Sequence, residues 1–567
     1  LPFARQALGE TTLAHVLERQ ARVQGGRMAL QYGERQVSFG ELDARVNHAV
    51  RWLEARGVKG GDVVALVGSN SLGYVELLLA GARAGITLAL VHPELSGPPL
   101  QHALTVAGAR LALCEAELAP KLWALSFPCH EFELEQSYDQ SEARRATTQR
   151  SQRNRPPARA PGGARIPQRD FALIYTSGTT GMPKACRIPH ARVLAAACLF
   201  GAPLFDFVDG DKLLCALPLY HASPLLLGLA TCLIGGAALV LERRFSAREL
   251  LATARRTEAT GLLYVGELGR MLLATPVSAL DREHGLRFAV GNGMAEDCWR
   301  GIAQRFGIED IREFYAATES PVGIFNLSGR IGSVGNLPFD WMFGLKLARL
   351  DPETGELMRD RHGYLLEAGV NEPGELLVKA RTRGIGVYYG YLDRKATEAR
   401  IVRAAFRPGD AYFRTGDVLR KDRDGYYYFV ERAGESYRFR GENVSLAQVE
   451  GELRALPEVA QAVVTAVALP GYDGRLGLAG VVTRPGFRIE QLEQLQRRLP
   501  RSAWPRFVRQ LPELELTGSL KLKRRALSDA GVDAAPSLQP MWVLEDDRYV
   551  ELDAERYAAI RASSFRF

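Results

Sequence analysis

Residues 175–184 read Tyr-Thr-Ser-Gly-Thr-Thr-Gly-Met-Pro-Lys. They follow a short apolar run, Phe171 to Ile174, whose length and composition predict a buried strand. The small and hydroxylated residues Ser177, Gly178, Thr179, Thr180 and Gly181, with Thr176 before them and Lys184 after, suit a loop that grips phosphate. Glycine lets backbone N–H groups approach an anion, hydroxyls donate further hydrogen bonds, and the lysine adds a point charge. The loop departs from a Walker A. Gly178 would need Gly-Lys-Ser/Thr at 183–185, where the chain has Pro183-Lys184-Ala185.

On either side of this stretch the pattern is α/β. Ser38 to Leu42 opens a helix, Asp62 to Val67 is a strand, Tyr74 to Ala84 an amphipathic helix and Thr87 to Val91 another strand. This rhythm predicts layered sheets with helices on their faces. Residues 140–169 interrupt it with Arg, Gln and Pro and are expected to form a mobile surface linker. The βαβ rhythm resumes from 171 to about 325, and residues 330–430 carry short Gly-, Tyr- and Val-rich strands such as Gly374 to Val378 and Gly425 to Val430. A smaller, mostly β subdomain is expected there. The expected organisation is a large N-terminal domain over 1–432, a hinge at 433–436, and a small mobile α+β domain over 437–567. That last domain should contain a helix at 445–455, a strand at 459–467, and a final 40-residue tail anchored by Trp542, Tyr549 and Tyr557.

Composition bounds the class. A chain of 567 residues, 47% hydrophobic and 24% charged, can bury large cores in more than one domain. Its net charge of +7 is spread along the chain, which suits anionic nucleotides, CoA or peripheral contact with a membrane surface, or equally a plain solvated basic surface. No basic patch interleaved with aromatics argues for nucleic acid. The seven cysteines form no CxxC pair and read as buried free thiols of a reducing compartment. Leu1 to Gln6 lack the features of a secretion signal, so a cytoplasmic location is expected, with contact at the inner face of a membrane left open. From Leu213 to Leu241 there is no Asp, Glu, Lys or Arg, but Pro218, His221, Pro224 and Gly235-Gly236 punctuate the run. It is therefore expected to be strand, helix from about 224 to 234, and strand, buried in a sheet.

The loop at 175–184 resembles the phosphate loop of the adenylate-forming superfamily, which includes acyl-CoA synthetases, luciferases and peptide-synthetase adenylation domains. The resemblance extends to other motifs in the family's order. Tyr315-Ala-Ala-Thr318-Glu319-Ser320 resembles the segment that implies adenine stacking by Tyr315, phosphate contact by Thr318 and Mg²⁺ binding by Glu319. Gly291-Asn292-Gly293-Met294 resembles the turn that lies against adenine, where glycine permits close backbone approach. Arg414-Thr415-Gly416-Asp417 resembles the segment whose aspartate takes both ribose hydroxyls, and Arg432 is implied to contact ribose or phosphate. Thr517-Gly-Ser-Leu-Lys521-Leu-Lys523 matches the segment of the adenylation lysine, with Lys521 aligning best and Lys523 its rival. His221, in Pro-Leu-Tyr-His-Ala-Ser, matches an aromatic position beside the carboxylate, and Gly441 the loop that admits pantetheine.

Within the superfamily, Leu263-Tyr-Val-Gly-Glu-Leu268, the Glu431-Arg-Ala-Gly-Glu-Ser-Tyr-Arg-Phe439 stretch and the Thr-Gly-Ser-Leu-Lys form resemble the fatty-acid-transport-protein and very-long-chain acyl-CoA synthetase branch. The resemblance implies activation of a fatty acid by ATP and Mg²⁺ to acyl-AMP, then transfer to CoA. Two alternatives stay open: loading of a carrier protein, and a membrane-associated uptake factor with little catalysis. Leu225 to Leu229 and Leu262 to Val265 could wall an apolar tunnel, or equally be sheet core.

Overall fold

A computed structural model describes residues 11–132, 168–177, 182–337, 340–351, 355–383, 386–432, 436–439, 442–469, 472, 475–514, 524–532 and 539–567. The chain divides into two compact units, Leu1–Pro338 with Ala380–Ile401, and Phe339–Lys379 with Val402–Phe567. The expected linker at 140–169 lies outside the described residues except for Gln168 and Arg169. The expected hinge at 433–436 lies outside them apart from Ser436.

The first unit is built on two sheets. A six-stranded sheet runs Cys129–Glu131, Leu111–Cys114, Val63–Val67, Thr87–Val91, Asp170–Ser177, Pro183–Pro189, parallel throughout except for its last pair. An eight-stranded sheet runs Ile324–Asn326, Asp310–Tyr315, Phe288–Asn292, Gly261–Val265, Lys212–Cys215, Ala238–Leu241, Met28–Tyr32, Arg35–Ser38, parallel except at its two edges. The central strands are apolar along their whole length because both faces are covered. Val64, Ala65 and Leu66 are fully buried, as are Leu213 and Leu214.

The helices form where the sequence signals them. Ser38 accepts the Glu41 N–H and caps Phe39–Ala55; Ser71 accepts the Tyr74 N–H and caps Leu72–Ala84. These two helices pack on each other around charges that water does not reach. Arg45 pairs with Glu76, and Arg83 with Asp43 at 2.6 Å, all four side chains being buried. Such ions are held only because their partners are at hand. Asn70 ties the two sheets together. Its amide donates to the Leu217 and Glu242 carbonyls, both at 2.9 Å, and its Oδ1 accepts the Leu219 N–H at 2.9 Å.

The apolar run 213–241 resolves as expected into strand, helix and strand, with one difference. Its helix opens as a π-helical stretch, Ser223–Leu229, before the α-helical Ala230–Gly235. Among the described residues no helix is long and apolar enough to cross a membrane.

The second unit holds a five-stranded sheet of Leu345–Arg349, Gly374–Lys379, Ala411–Lys421 and Ile401–Arg403, with Tyr427–Arg432 paired to Ala411–Lys421. This is the expected β-rich subdomain. A second five-stranded sheet runs Val459–Val467, Leu476–Thr483, Phe507–Gln510, Met541–Glu545, Arg548–Glu551. The final residues are therefore not a tail anchored by aromatics. Met541–Glu545 pairs with Phe507–Gln510, and Arg548–Glu551 closes the edge, so the C-terminal stretch supplies two of this sheet's strands. Tyr549 is buried with its hydroxyl on the Pro505 carbonyl at 3.0 Å, while Trp542 is only partly buried.

All seven cysteines are free thiols; five are buried, and Cys129 and Cys198 are half-buried.

Candidate functional site

In open parallel sheets the strands deliver residues to their carboxyl ends, where ligands bind. Asp170–Ser177 and Pro183–Pro189 form an antiparallel hairpin in which Thr176 faces Lys184 and Ser177 faces Pro183. The stretch 178–181 lies outside the described residues. The loop leads into a strand, where a Walker A would open a helix, and this accounts physically for the missing Gly-Lys-Ser/Thr.

Glu319 and Lys184 meet at one residue that belongs to none of the motifs. The Tyr391 hydroxyl donates to Glu319 Oε1 at 2.7 Å, and the Lys184 ammonium lies 5.9 Å from the centroid of the Tyr391 ring. Tyr391 reaches this position because its segment pairs with the hairpin's outer strand. Leu392 N–H donates to the Ala185 carbonyl at 3.0 Å, and Arg187 N–H to the Gly390 carbonyl at 3.1 Å. Thr397 Oγ1 accepts the Tyr391 N–H at 2.9 Å. Burial first, and then the Glu319 carboxylate, push the Tyr391 phenol well up, so it stays a donor to that carboxylate.

The loop carrying Thr318 and Glu319 is held by Cys186 of that strand and by Arg192 of the helix His190–Ala195 that follows it. Cys186 Sγ donates to the Thr318 carbonyl at 3.4 Å and Arg192 to the Ser320 carbonyl at 2.8 Å. Thr318 and Glu319 themselves are half-buried.

Tyr315 ends the strand Asp310–Tyr315, and Gly291 and Asn292 end its neighbour Phe288–Asn292, so the residues expected around adenine come together at adjacent strand ends. The turn after Asn292 is tightly nested. A Cβ on Gly291 would stand 2.3 Å from the Tyr264 carbonyl oxygen, and one on Gly266 only 1.8 Å from that of Gly293. Beneath the turn is Glu313, 2% exposed, a residue that no sequence motif marks. Its carboxyl accepts the Gly293 N–H at 2.9 Å, the Met294 N–H at 2.8 Å and the Tyr264 hydroxyl at 2.7 Å. Burial pushes this carboxyl up to about 8, against the opposite pull of those three donors.

His221 follows the strand Lys212–Cys215 of one sheet and meets His92, which follows Thr87–Val91 of the other. Tyr220 lies between them, with ring centroids 4.8 Å from His92 and 4.6 Å from His221; the two imidazoles are 6.4 Å apart. His92 Nδ1 accepts the Glu94 N–H at 3.1 Å, so the neutral ring carries its proton on Nε2, which faces the Tyr220 oxygen at 3.4 Å. His92 carries no motif signal of its own.

Asp417 and Arg432 belong to the second unit and stand opposite each other on paired strands. Asp417 is buried; its N–H donates to Thr415 Oγ1 at 3.0 Å, and the Thr415 hydroxyl donates to the Leu376 carbonyl at 2.8 Å. Arg414 forks onto Glu375, with Nε 3.0 Å from Oε1 and Nη2 2.5 Å from Oε2. The Arg432 and Ser177 side chains, and all of Gly178, Thr179, Thr180, Gly181, Gly441, Lys521 and Lys523, lie outside the described residues.

A Mg²⁺ ion, where bound, would find a carboxylate in Glu319. Among the described residues no group of three or more His, Cys, Asp or Glu could cage a metal ion. A single accessible carboxylate, Glu319, oriented by Tyr391, matches an ion that is otherwise bound through waters and substrate phosphates.

The family profile for AMP-binding enzyme matches residues 17–392, which contain Lys184, Glu319 and Tyr391. The chain belongs to the AMP-binding enzymes. Within them the enzyme is 35% identical to long-chain fatty acid transport protein 5 of Homo sapiens, over 98% of this chain and 83% of that protein. It is 32% identical to long-chain fatty acid transport protein 1 of Mus musculus, over 100% of this chain and 90% of that protein. Its fold is shared with ATP-bound MatB from Rhodopseudomonas palustris, with a TM-score of 0.74, 23% identity and coverage of 92% of this chain and 100% of the other. The o-succinylbenzoate CoA synthetase of Bacillus subtilis, solved with its acyl-adenylate, aligns with a TM-score of 0.72 and 24% identity over 92% and 99% of the two chains.

The link between Tyr391 and Glu319 gives a first expected result. Tyr391→Phe removes one hydrogen bond and keeps the ring, so the Mg²⁺ concentration for half-maximal activity should rise about tenfold while turnover at saturating Mg²⁺ changes little. A Mg²⁺ titration of the variant checks this; an unchanged midpoint would mean that Tyr391 only fills space.

Proposed function

We propose that this enzyme is an acid–thiol ligase that activates a long- or very-long-chain fatty acid with ATP and Mg²⁺ and transfers it to CoA, releasing AMP and pyrophosphate. Kinship to long-chain fatty acid transport proteins along almost the entire chain carries the reading. The approach of both Lys184 and Glu319 to Tyr391 supports it.

In this reading Thr176 to Gly181 and Lys184 hold the β and γ phosphates. Thr318 and Glu319 face the phosphates, and Glu319 would hold Mg²⁺, which would offset phosphate charge. Tyr315 and the turn Gly291–Asn292–Gly293 take the adenine, and Asp417 and Arg432 take the ribose. His221, with Tyr220 and His92 behind it, positions the acid. The acid's carboxylate oxygen attacks the α-phosphorus, the bond to the β-phosphate oxygen breaks, and pyrophosphate departs. Lys521 neutralises the charge that builds on the α-phosphate. Residues 437–567 then turn about 433–436, withdrawing Lys521 and bringing Gly441 to the pantetheine arm. The CoA thiolate attacks the acyl carbonyl and AMP leaves. Closing one cleft in two ways lets it run two reactions.

A panel of carboxylic acids of graded chain length, read by pyrophosphate release, tests the first half. AMP release that needs both a fatty acid and free CoA supports the whole reading. Release only with a phosphopantetheine carrier protein moves the acceptor to that protein. No pyrophosphate with any fatty acid overturns the proposal. Contact with a membrane belongs to the same reading, since the positive net charge of +7 favours anionic surfaces, and sedimentation with anionic lipid vesicles measures it.

A further inference from the structure

We infer that Glu313 is a positioning residue for the nucleoside, setting ATP and AMP affinity by fastening the Gly293–Met294 turn from beneath. The inference rests on reading Gly291–Gly293 as the turn that meets adenine. Four observations converge on it. Glu313 stands two residues before Tyr315 on the same strand, so both side chains project to one face of the sheet. It also lies beside Gly291 in the strand register, directly under the start of the turn. Two successive backbone N–H groups of the turn end on different oxygens of its carboxyl, Gly293 on Oε2 and Met294 on Oε1. The turn lies in close contact with its neighbours, since a Cβ on Gly291 or on Gly266 would collide with the Tyr264 or the Gly293 carbonyl, so small displacements of the turn are felt at the strand ends.

The carboxyl group is suited to this in a way an amide is not. Both oxygens must accept from the turn. With glutamine, whichever end of the amide carries the NH₂ sets it against a backbone N–H, and one donor of the turn is then buried without an acceptor. The proton-bearing carboxyl, by contrast, still serves both N–H groups. Its O–H can turn to the Tyr264 oxygen, and the Tyr264 hydroxyl has the Arg312 carbonyl within 3.5 Å to donate to instead. Tyr264 is thus a compliant partner, and the two N–H groups are the fixed ones.

The test compares Glu313→Gln with Tyr264→Phe. For Glu313→Gln, AMP binding by titration calorimetry should weaken about tenfold and KM for ATP should rise in step, with kcat and the KM values for acid and CoA within about twofold. For Tyr264→Phe, which leaves both N–H groups accepted, AMP binding should stay within about threefold of wild type. Unchanged AMP binding in Glu313→Gln overturns the inference, and so does a parallel rise of all three KM values, which marks general loosening. If Glu313→Gln is insoluble, Glu313→Asp replaces it: the shorter arm cannot reach both N–H groups, so weakened AMP binding supports the inference and wild-type binding overturns it. A wild-type chain that binds no AMP removes the nucleotide-site reading itself, and the inference falls with it. Wild-type binding matched by Glu313→Gln removes the inference alone.

Discussion

Glu319→Gln should slow acyl-AMP formation on the order of 100-fold or more at physiological Mg²⁺ while leaving the fold intact. The amide is isosteric, and its oxygen can still accept the Tyr391 hydroxyl that Glu319 accepts at 2.7 Å. The loss is the negative charge. Among the described residues no cluster of three metal-ligating side chains could take its place, so few protein ligands remain to compensate. Fatty-acid-dependent pyrophosphate release, measured across a Mg²⁺ series, should show the deficit shrinking as Mg²⁺ is raised, with an unchanged unfolding midpoint. A variant within about threefold of wild type at every Mg²⁺ concentration would remove Glu319 from the metal site.

Lys521→Ala should cost about 10³-fold in acyl-AMP formation and spare the second half-reaction. The α-phosphate gathers charge as pyrophosphate departs, and a cation aimed at that charge helps the transition state more than the ground state. Thiolysis of the acyl-AMP develops charge on the acyl oxygen and needs no cation at the same place. Acyl-AMP supplied to the variant with CoA should therefore be converted at close to the wild-type rate, while pyrophosphate formation from ATP nearly stops. Lys523→Ala should leave both half-reactions near wild type. If Lys523→Ala carries the deficit, the register of the C-terminal motif is shifted by two residues. Loss of both half-reactions in Lys521→Ala would place the lysine in folding, outside the chemistry.

Most of the first unit is legible in the sequence, because its signals are local. Ser38 and Ser71 announce their helices, and the buried parallel strands Val63–Val67, Thr87–Val91 and Lys212–Cys215 are short apolar runs between turn residues. The C-terminal strands are not, because their partner is distant. Met541–Glu545 and Arg548–Glu551 carry aromatic residues, which suggest anchors, and only the pairing with Phe507–Gln510 makes them sheet. The π-helical opening at Ser223–Leu229 has no signature in residue types, since its apolar pattern fits an α-helix as well.

The site divides along the same line. Candidates inside contiguous motifs, such as Lys184, Tyr315 and Glu319, are proposed from sequence. Tyr391, Glu313, His92 and Asn70 are not, because topology alone brings them to their partners. Glu313 meets the turn through strand register, His92 meets Tyr220 across two sheets, and Asn70 joins strand ends separated by some 150 residues of chain. Each is an ordinary polar residue until the sheets assemble. A general rule points to Glu313: an acidic residue in an otherwise buried strand needs donors nearby.

The return of Ala380–Ile401 to the first unit has a consequence for how the protein is made. Domains tend to fold as units during synthesis, the N-terminal one first. Here the edge of the six-stranded sheet next to Pro183–Pro189 waits for Tyr391 and Leu392, and the hydroxyl that orients Glu319 is encoded 72 residues downstream of it. A nascent chain ending near residue 338 would hold both sheets but lack that edge and that hydroxyl. The ribosome must therefore add the β-rich strands Leu345–Arg349 and Gly374–Lys379, which belong to the other unit, before the first can be finished. Synthesis interleaves the two units, and the Glu319 carboxylate gains its partner only after chain for both has been made.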